Sequence, residues 1–194
     1  MANGRSPSPS SARAKPVYLA AMNHDFYPDT TIQRILKSVR TIAIVGASNN
    51  NARPSYFVLK YLLSRGYRVL PINPGLAGKE ISGAPVYARL TDISEPIDMV
   101  EIFRNSAAAP GIVEEALTLD PLPKVIWMQL GVRNDEAAAR AEARGVEVIM
   151  NRCPKIEYGR LSGEIGWTGV NSRILSARKP QMLRGFQKFT IDRR

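Results

Sequence analysis

The residues best suited to chemistry lie in three short stretches. Gly46-Ala47-Ser48 ends a β-branched run, and a polar loop then leads to Arg53-Pro54. Asn73-Pro74-Gly75 ends a second apolar run, with Lys79 four residues later. A lone thiol, Cys153, sits in Asn151-Arg152-Cys153-Pro154. A small-residue turn before a helix presents backbone N–H groups to an anion, so the first stretch suits a phosphate. Arg53 and Lys79 can add charge-assisted bonds to phosphate. One cysteine permits neither an internal disulfide nor a four-thiolate zinc site. The single histidine, His24, lies far upstream and reads as an exposed residue of the N-terminal tail. No Ser-His-Asp triad or histidine metal site can therefore be built in the domain.

Elements that position such residues are legible from apolar periodicity. Strands are expected at 41–46, 67–72, 98–103, 124–128 and 146–150, with a short one near 85–87. Helices are expected from Thr30 to Ser38, capped by Asp29 or Thr30, and over 54–65, 107–118 and 134–144. Pro54 suits a first helical position, Asn134 a cap, and Gly66 and Gly145 stops. Strands alternating with helices predict an α/β fold: a Rossmann-like three-layer α/β/α sandwich with about five parallel strands. In such a sheet, ligand loops gather at the carboxyl ends of the strands, here 46–54, 73–79, 103–106, 129–133 and 151–154.

The first strand–loop–helix–strand departs from the dinucleotide fingerprint. It has no G-x-G-x-x-G, and Asn73 stands where an acid usually ends the second strand. Asn73 can bond a ribose without repelling phosphate, which favours a nucleotide with a phosphorylated ribose over NAD. Lys79 would admit NADP, so an NADP-dependent oxidoreductase or nucleotide-sensing redox regulator is the competing reading.

The formal charge of +10 invites a nucleic-acid reading until it is mapped. Residues 1–40 carry six basic and two acidic side chains, residues 172–194 seven and one, and residues 41–171 fourteen of each. The excess lies wholly in the ends, which argues against a nucleic-acid-binding domain. An interaction protein using basic tails is a further alternative. No apolar run is long enough for a membrane helix. The Ser/Pro/Arg-rich start has no apolar core of a secretory signal. Single-cysteine usage fits a reducing cytoplasm. The expected organisation is a disordered tail over 1–28, a domain over 29–170 and a basic tail over 171–194. The region after 155 is Gly-, Ser- and Arg-rich, and its turn-prone segment LSGEIGWTGVNSR is expected to wrap the sheet rather than form a second domain.

The pieces IAIVGASNNNARPSY, GYRVLPINPGLAGKEISGAPVY, MVEIFRN, VIWMQLGV and VIMNRCPKIEY resemble the CoA-binding domain family. The likeness is to the small stand-alone bacterial type, related to the CoA-binding half of the succinyl-CoA synthetase alpha subunit. They occur in the family's order over about 118 of 194 residues, from 41 to 158. The resemblance implies binding of coenzyme A or a small acyl-CoA as the one small-molecule ligand. It places the pyrophosphate at Gly46, Ala47 and Ser48, with Arg53 and Pro54 at the helix start. Asn73 and Pro74 would line the nucleotide, and Lys79 would meet the ribose phosphate. Phe103 and Arg104 would flank the adenine and phosphate side. Gln129, Leu130 and Gly131 would contact the pantetheine end. Taken singly, Phe103, Leu130 and Trp127 read as core. The synthetase passes phosphate through a histidine in a second domain; here the only histidine is His24, upstream of the first strand, and no second domain is expected, so no catalytic residue is implied. Cys153 is a candidate redox thiol near the CoA sulfur, with Arg152 as a neighbour that would lower its pKa. The opposing reading is a small buried side chain packed in a Pro-terminated turn. A protein partner or homo-oligomer remains open.

Overall fold

A computed structural model describes residues 23–162. Five parallel strands form one sheet in the order β2-β1-β5-β6-β7. These are β1 (Thr41–Val45), β2 (Arg68–Ile72), β5 (Met99–Ile102), β6 (Val125–Met128) and β7 (Glu147–Ile149). Two short strands, β3 (Glu80–Ile81) and β4 (Ala84–Pro85), pair as a hairpin beyond β2. The strand expected near 85–87 is that hairpin's second half, and Tyr87 continues past it to bridge Ile72.

The central strands are buried on both faces, which explains their continuous apolar runs. Ala43, Leu70, Val100, Ile126 and Val148 pack on one face. There they meet α3 (Ala109–Ala116) and α4 (Asp135–Ala143), which use small residues such as Ala137, Ala138 and Ala141. Ile42, Ile44, Met99, Val125, Trp127 and Ile149 pack on the other face. That face is covered by α1 (Asp29–Ser38), α2 (Pro54–Ser64) and α5 (Pro154–Leu161). Asn134 caps α4, its side chain accepting from Ala137 N–H at 2.9 Å.

Four expectations need correction. Neither Asp29 nor Thr30 caps α1; Pro28 holds the cap position without a side-chain bond, and Asp29 instead pairs with Arg160 of α5 at 2.8 Å. The helix expected over 107–118 is shorter, because 107 and 108 form a turn leading into Ala109. The region after 155, for which no helix was expected, begins inside one, α5, opened by Pro154 at its first position, while 163–173 of the segment expected to wrap the sheet lie outside the described residues. His24 is buried, not an exposed tail residue, at 8% exposure.

The last correction moves the edge of the packed fold. The Tyr27 hydroxyl accepts from Met150 N–H at 2.8 Å, which leaves its proton for His24 Nδ1, also at 2.8 Å. His24 Nε2 lies 3.2 Å from Glu142 Oε1. Segment 23–28 therefore belongs to the packed domain rather than to a tail ending at 28. Residues 1–22, the expected stretch 163–170 and the basic tail 171–194 lie outside the described residues.

Candidate functional site

Strand order reverses between β1 and β5, since β2 lies on one side of β1 and all later long strands on the other. A crevice opens at the carboxyl ends of strands at such a point, where the loops leave in opposite directions. Its floor here is the turn after Val45 and the turn after Ile102.

Gly46 adopts φ +90°, a backbone conformation that side chains resist. Its N–H and that of Ala47 both donate to Ile72 O, at 3.0 and 3.2 Å. Ser48 Oγ accepts from Asn50 N–H at 3.1 Å, and Asn50 Oδ1 from Ala52 N–H at 2.8 Å. These turns carry the chain to Arg53, which stands at the cap of α2 without a side-chain cap bond. No acidic residue occupies the first turn of α2. The end of α2 thus presents its dipole uncompensated by a carboxylate, the arrangement an anion needs.

Asn73 ties the two loops together. Its Nδ2 donates to Ala47 O at 2.8 Å, and its Oδ1 accepts from Gly75 N–H at 2.9 Å. The residue expected to face a ribose therefore also fixes the Gly46–Ala47 turn, a role its place in the sequence did not disclose. Pro74 and Lys79 are exposed beyond it, Lys79 at the start of the small hairpin. Arg104 is exposed, and its aliphatic stem lies against Gly46. Phe103 is partly buried against the α2 side of the core, as expected of a packing residue.

Gln129, Leu130 and Gly131 follow β6. Leu130 reads singly as core in the sequence, yet it is 49% exposed. The chain passes through φ +77° at Gly131, and this turn leaves Leu130 outward among the ligand-side loops. Trp127 is fully buried, its Nε1 donating to Arg152 O at 2.8 Å.

Two buried titratable groups lie beneath these loops. Glu101, in the middle of β5, has no exposure. Burial raises its carboxyl from 4.5 to about 8, against the lowering effect of the Gln129 hydrogen bond. Sequence reasoning missed it, although its same-face neighbours along the strand, Met99 and Phe103, are apolar and already set a lone acid among core residues. Cys153 is 6% exposed and caps α5. Burial pushes its thiol pKa up, and Glu101 adds to the rise; N–H groups of Ile156 and Lys155 pull the other way without prevailing. The lowering expected from Arg152 does not occur. That guanidinium lies over the Tyr27 ring and donates to Asn151 O.

At the opposite edge, where β1 and β2 begin, a cleft is lined by Leu36, Arg40, Arg65, Tyr67 and Tyr158. It is remote from the loops that a parallel sheet offers to ligands. Among the described residues no cluster of His, Cys, Asp or Glu is arranged to hold a metal, and no helix is long and apolar enough to cross a membrane.

A five-stranded parallel sheet with a switch-point crevice and an uncapped helix start defines the Rossmann-like α/β class. The chain belongs to the CoA binding domain family, which it matches over residues 40–159. Uncharacterized protein YneT of Bacillus subtilis is 37% identical over 127 residues, 66% of this chain and 91% of that protein. The ADP-forming acetate–CoA ligase of Methanocaldococcus jannaschii is 30% identical over 76 residues, which are 39% of this chain but only 10% of the ligase. The structure of a hypothetical protein from Pyrococcus horikoshii superposes with a TM-score of 0.67 at 34% identity, covering 78% of this chain and 99% of that one. A Thermus thermophilus structure gives 0.66 at 36% identity, covering 70% and 99%.

Proposed function

We propose that the chain binds coenzyme A or a small acyl-CoA in the switch-point crevice, and that it does so without catalysing a reaction. The observation that carries this reading is the shared floor of the crevice. The Gly46–Ala47 turn is held by Asn73, faces the uncapped start of α2 and lies under the stem of Arg104. Membership of the CoA binding domain family supplies the ligand class. The pyrophosphate would lie against residues 46–48 and the first turn of α2. Arg53 and Arg104 would balance its charge. Lys79 would take the ribose phosphate, and the pantetheine arm would cross the end of β5 to reach Leu130.

The non-catalytic part rests on what the chain can offer a thioester. Its one histidine is buried, with its ring nitrogens engaged by Tyr27 and Glu142. Its one thiol is buried with a raised pKa, which keeps the thiolate scarce. A mixed disulfide between Cys153 and the CoA thiol therefore requires the α5 start to open first.

Isothermal titration against CoA, acetyl-CoA, NAD and NADP tests the reading. Saturable heat with the first two alone supports it. Heat with NADP but not CoA overturns it in favour of a reductase. Ser48→Asp should abolish the CoA signal, because it sets a carboxylate beside a dianionic pyrophosphate.

A further inference from the structure

Glu101 is a costly residue for its position. It stands in register between Ile44 of β1 and Trp127 of β6, on the face covered by α1, α2 and α5. A branched apolar side chain would serve that strand. Its Oε1 accepts from Gln129 Nε2 at 2.9 Å, while its Oε2 has no hydrogen-bond partner among the described residues. A buried polar atom left unpaired costs on the order of 1–3 kcal/mol.

The effect of Glu101 on its surroundings runs through one amide. Because Gln129 Nε2 donates to the carboxyl, Gln129 Oε1 is turned toward the chain and accepts from Leu130 N–H at 2.9 Å. Val132 N–H donates to Gln129 O at 2.9 Å, and Gly131 N–H donates to Asn151 Oδ1 at 2.9 Å. Three bonds thus pin a tight turn that would otherwise be a short exposed loop. The first of them depends on which end of the Gln129 amide faces inward. An apolar residue at 101 would remove the carboxyl that selects that orientation and leave the Cys153 thiol as the other side-chain neighbour of the amide.

We propose that Glu101 is the positioning residue for the thiol-bearing arm of the ligand, acting through Gln129 to fix the 129–131 loop. This rests on the CoA reading above. Burial keeps the carboxyl neutral up to about pH 8, so it holds Gln129 without burying a full charge. The nucleotide end of the ligand meets other loops, 46–54 and 73–79, so Glu101 affects one end of the ligand and not the other.

The test uses the full chain, with CoA and with adenosine 3′,5′-bisphosphate, which lacks the pantetheine arm. In Glu101→Leu, CoA affinity should fall about tenfold, the scale of one lost hydrogen bond in a buried site, and bisphosphate affinity less than about twofold. In Glu101→Gln, which can still accept from Gln129, both affinities should stay within about twofold of the wild type. Retained bisphosphate binding shows that the Leu variant is folded. Equal losses for both ligands, unchanged CoA binding in Glu101→Leu, or no rescue by Glu101→Gln each overturn the proposal. Amide exchange at Leu130 in the free protein gives an independent readout: faster in Glu101→Leu, unchanged in Glu101→Gln, with equal rates in all three overturning it. A wild type that binds the bisphosphate but gains nothing from the arm overturns the positioning role alone. A wild type that binds neither ligand overturns the CoA reading itself.

Discussion

Gly46 lies so close beneath Phe103 that a Cβ on the glycine would sit 2.8 Å from the Phe103 carbonyl oxygen. The end of β1 and the end of β5 are thus in backbone contact at the floor of the crevice. Gly46→Ala meets both this contact and the φ of +90°. Relief requires the 103–106 turn to move, which carries Arg104 with it. The expected loss is about 2–5 kcal/mol of stability, from the left-handed backbone and overpacking together. Urea denaturation measures it, and a change under about 0.5 kcal/mol would show that the two turns slide freely.

The carboxyl of Glu101 gives stability a pH dependence of definite sign. Its folded-state pKa, about 8, lies above the ordinary 4.5. Below about pH 4.5 the group is neutral in both states and adds no pH-dependent cost. As pH rises toward about 8 the unfolded chain ionises while the folded one does not, so stability is lost. The slope is about 1.4 kcal/mol per pH unit, and the loss levels off above the folded value. Glu101→Gln should remove this component. Denaturant midpoints of the two proteins between pH 5 and 9 should diverge with rising pH, and parallel curves would refute the assignment.

Removing the hydroxyl of Tyr27 by Tyr27→Phe leaves Met150 N–H without its acceptor in a buried place. The expected cost is about 1–3 kcal/mol. Truncation makes the same point by another route. Deleting 1–21 leaves Tyr27 and His24 in place, and the melting temperature should hold. Deleting 1–28 removes both, and it should fall by several degrees. Equal melting curves for the two truncations would place the edge of the cooperative unit after Pro28.

Lys79→Ala separates the ends of the ligand. It should weaken CoA by about 1–3 kcal/mol, the range for hydrogen bonds to charged groups, and dephospho-CoA far less. Calorimetry with the two ligands decides it. Equal losses remove Lys79 from the ribose phosphate.

The sheet was legible because each long strand is a short run carrying β-branched apolar residues, and three of the five are followed at once by Gly46, Asn73 or Gln129. Pro54 and Asn134 marked helix starts through local chemistry that needs no tertiary partner. Where tertiary contacts decide, the sequence was silent. α5 has a weak apolar face and is held by Arg160 against Asp29, residues 131 positions apart. His24 looked like a tail residue because what holds it in place lies far along the chain: Glu142 on α4, and Met150, which anchors the neighbouring Tyr27. The ligand-side loops followed from topology alone, whereas the orientation of Gln129 depends on a carboxyl that only the packed sheet brings beneath it.

Both borders of the sheet are blunted. At one, Pro71 has no N–H to offer, and its carbonyl is taken by Tyr87 N–H at 2.9 Å. At the other, Met150 N–H, just past β7, is taken by the Tyr27 hydroxyl, and Glu147, which opens β7, is paired with Arg34 of α1. Part of each edge that a foreign strand would have to pair with is therefore already occupied, the kind of protection that sheet proteins place on exposed borders.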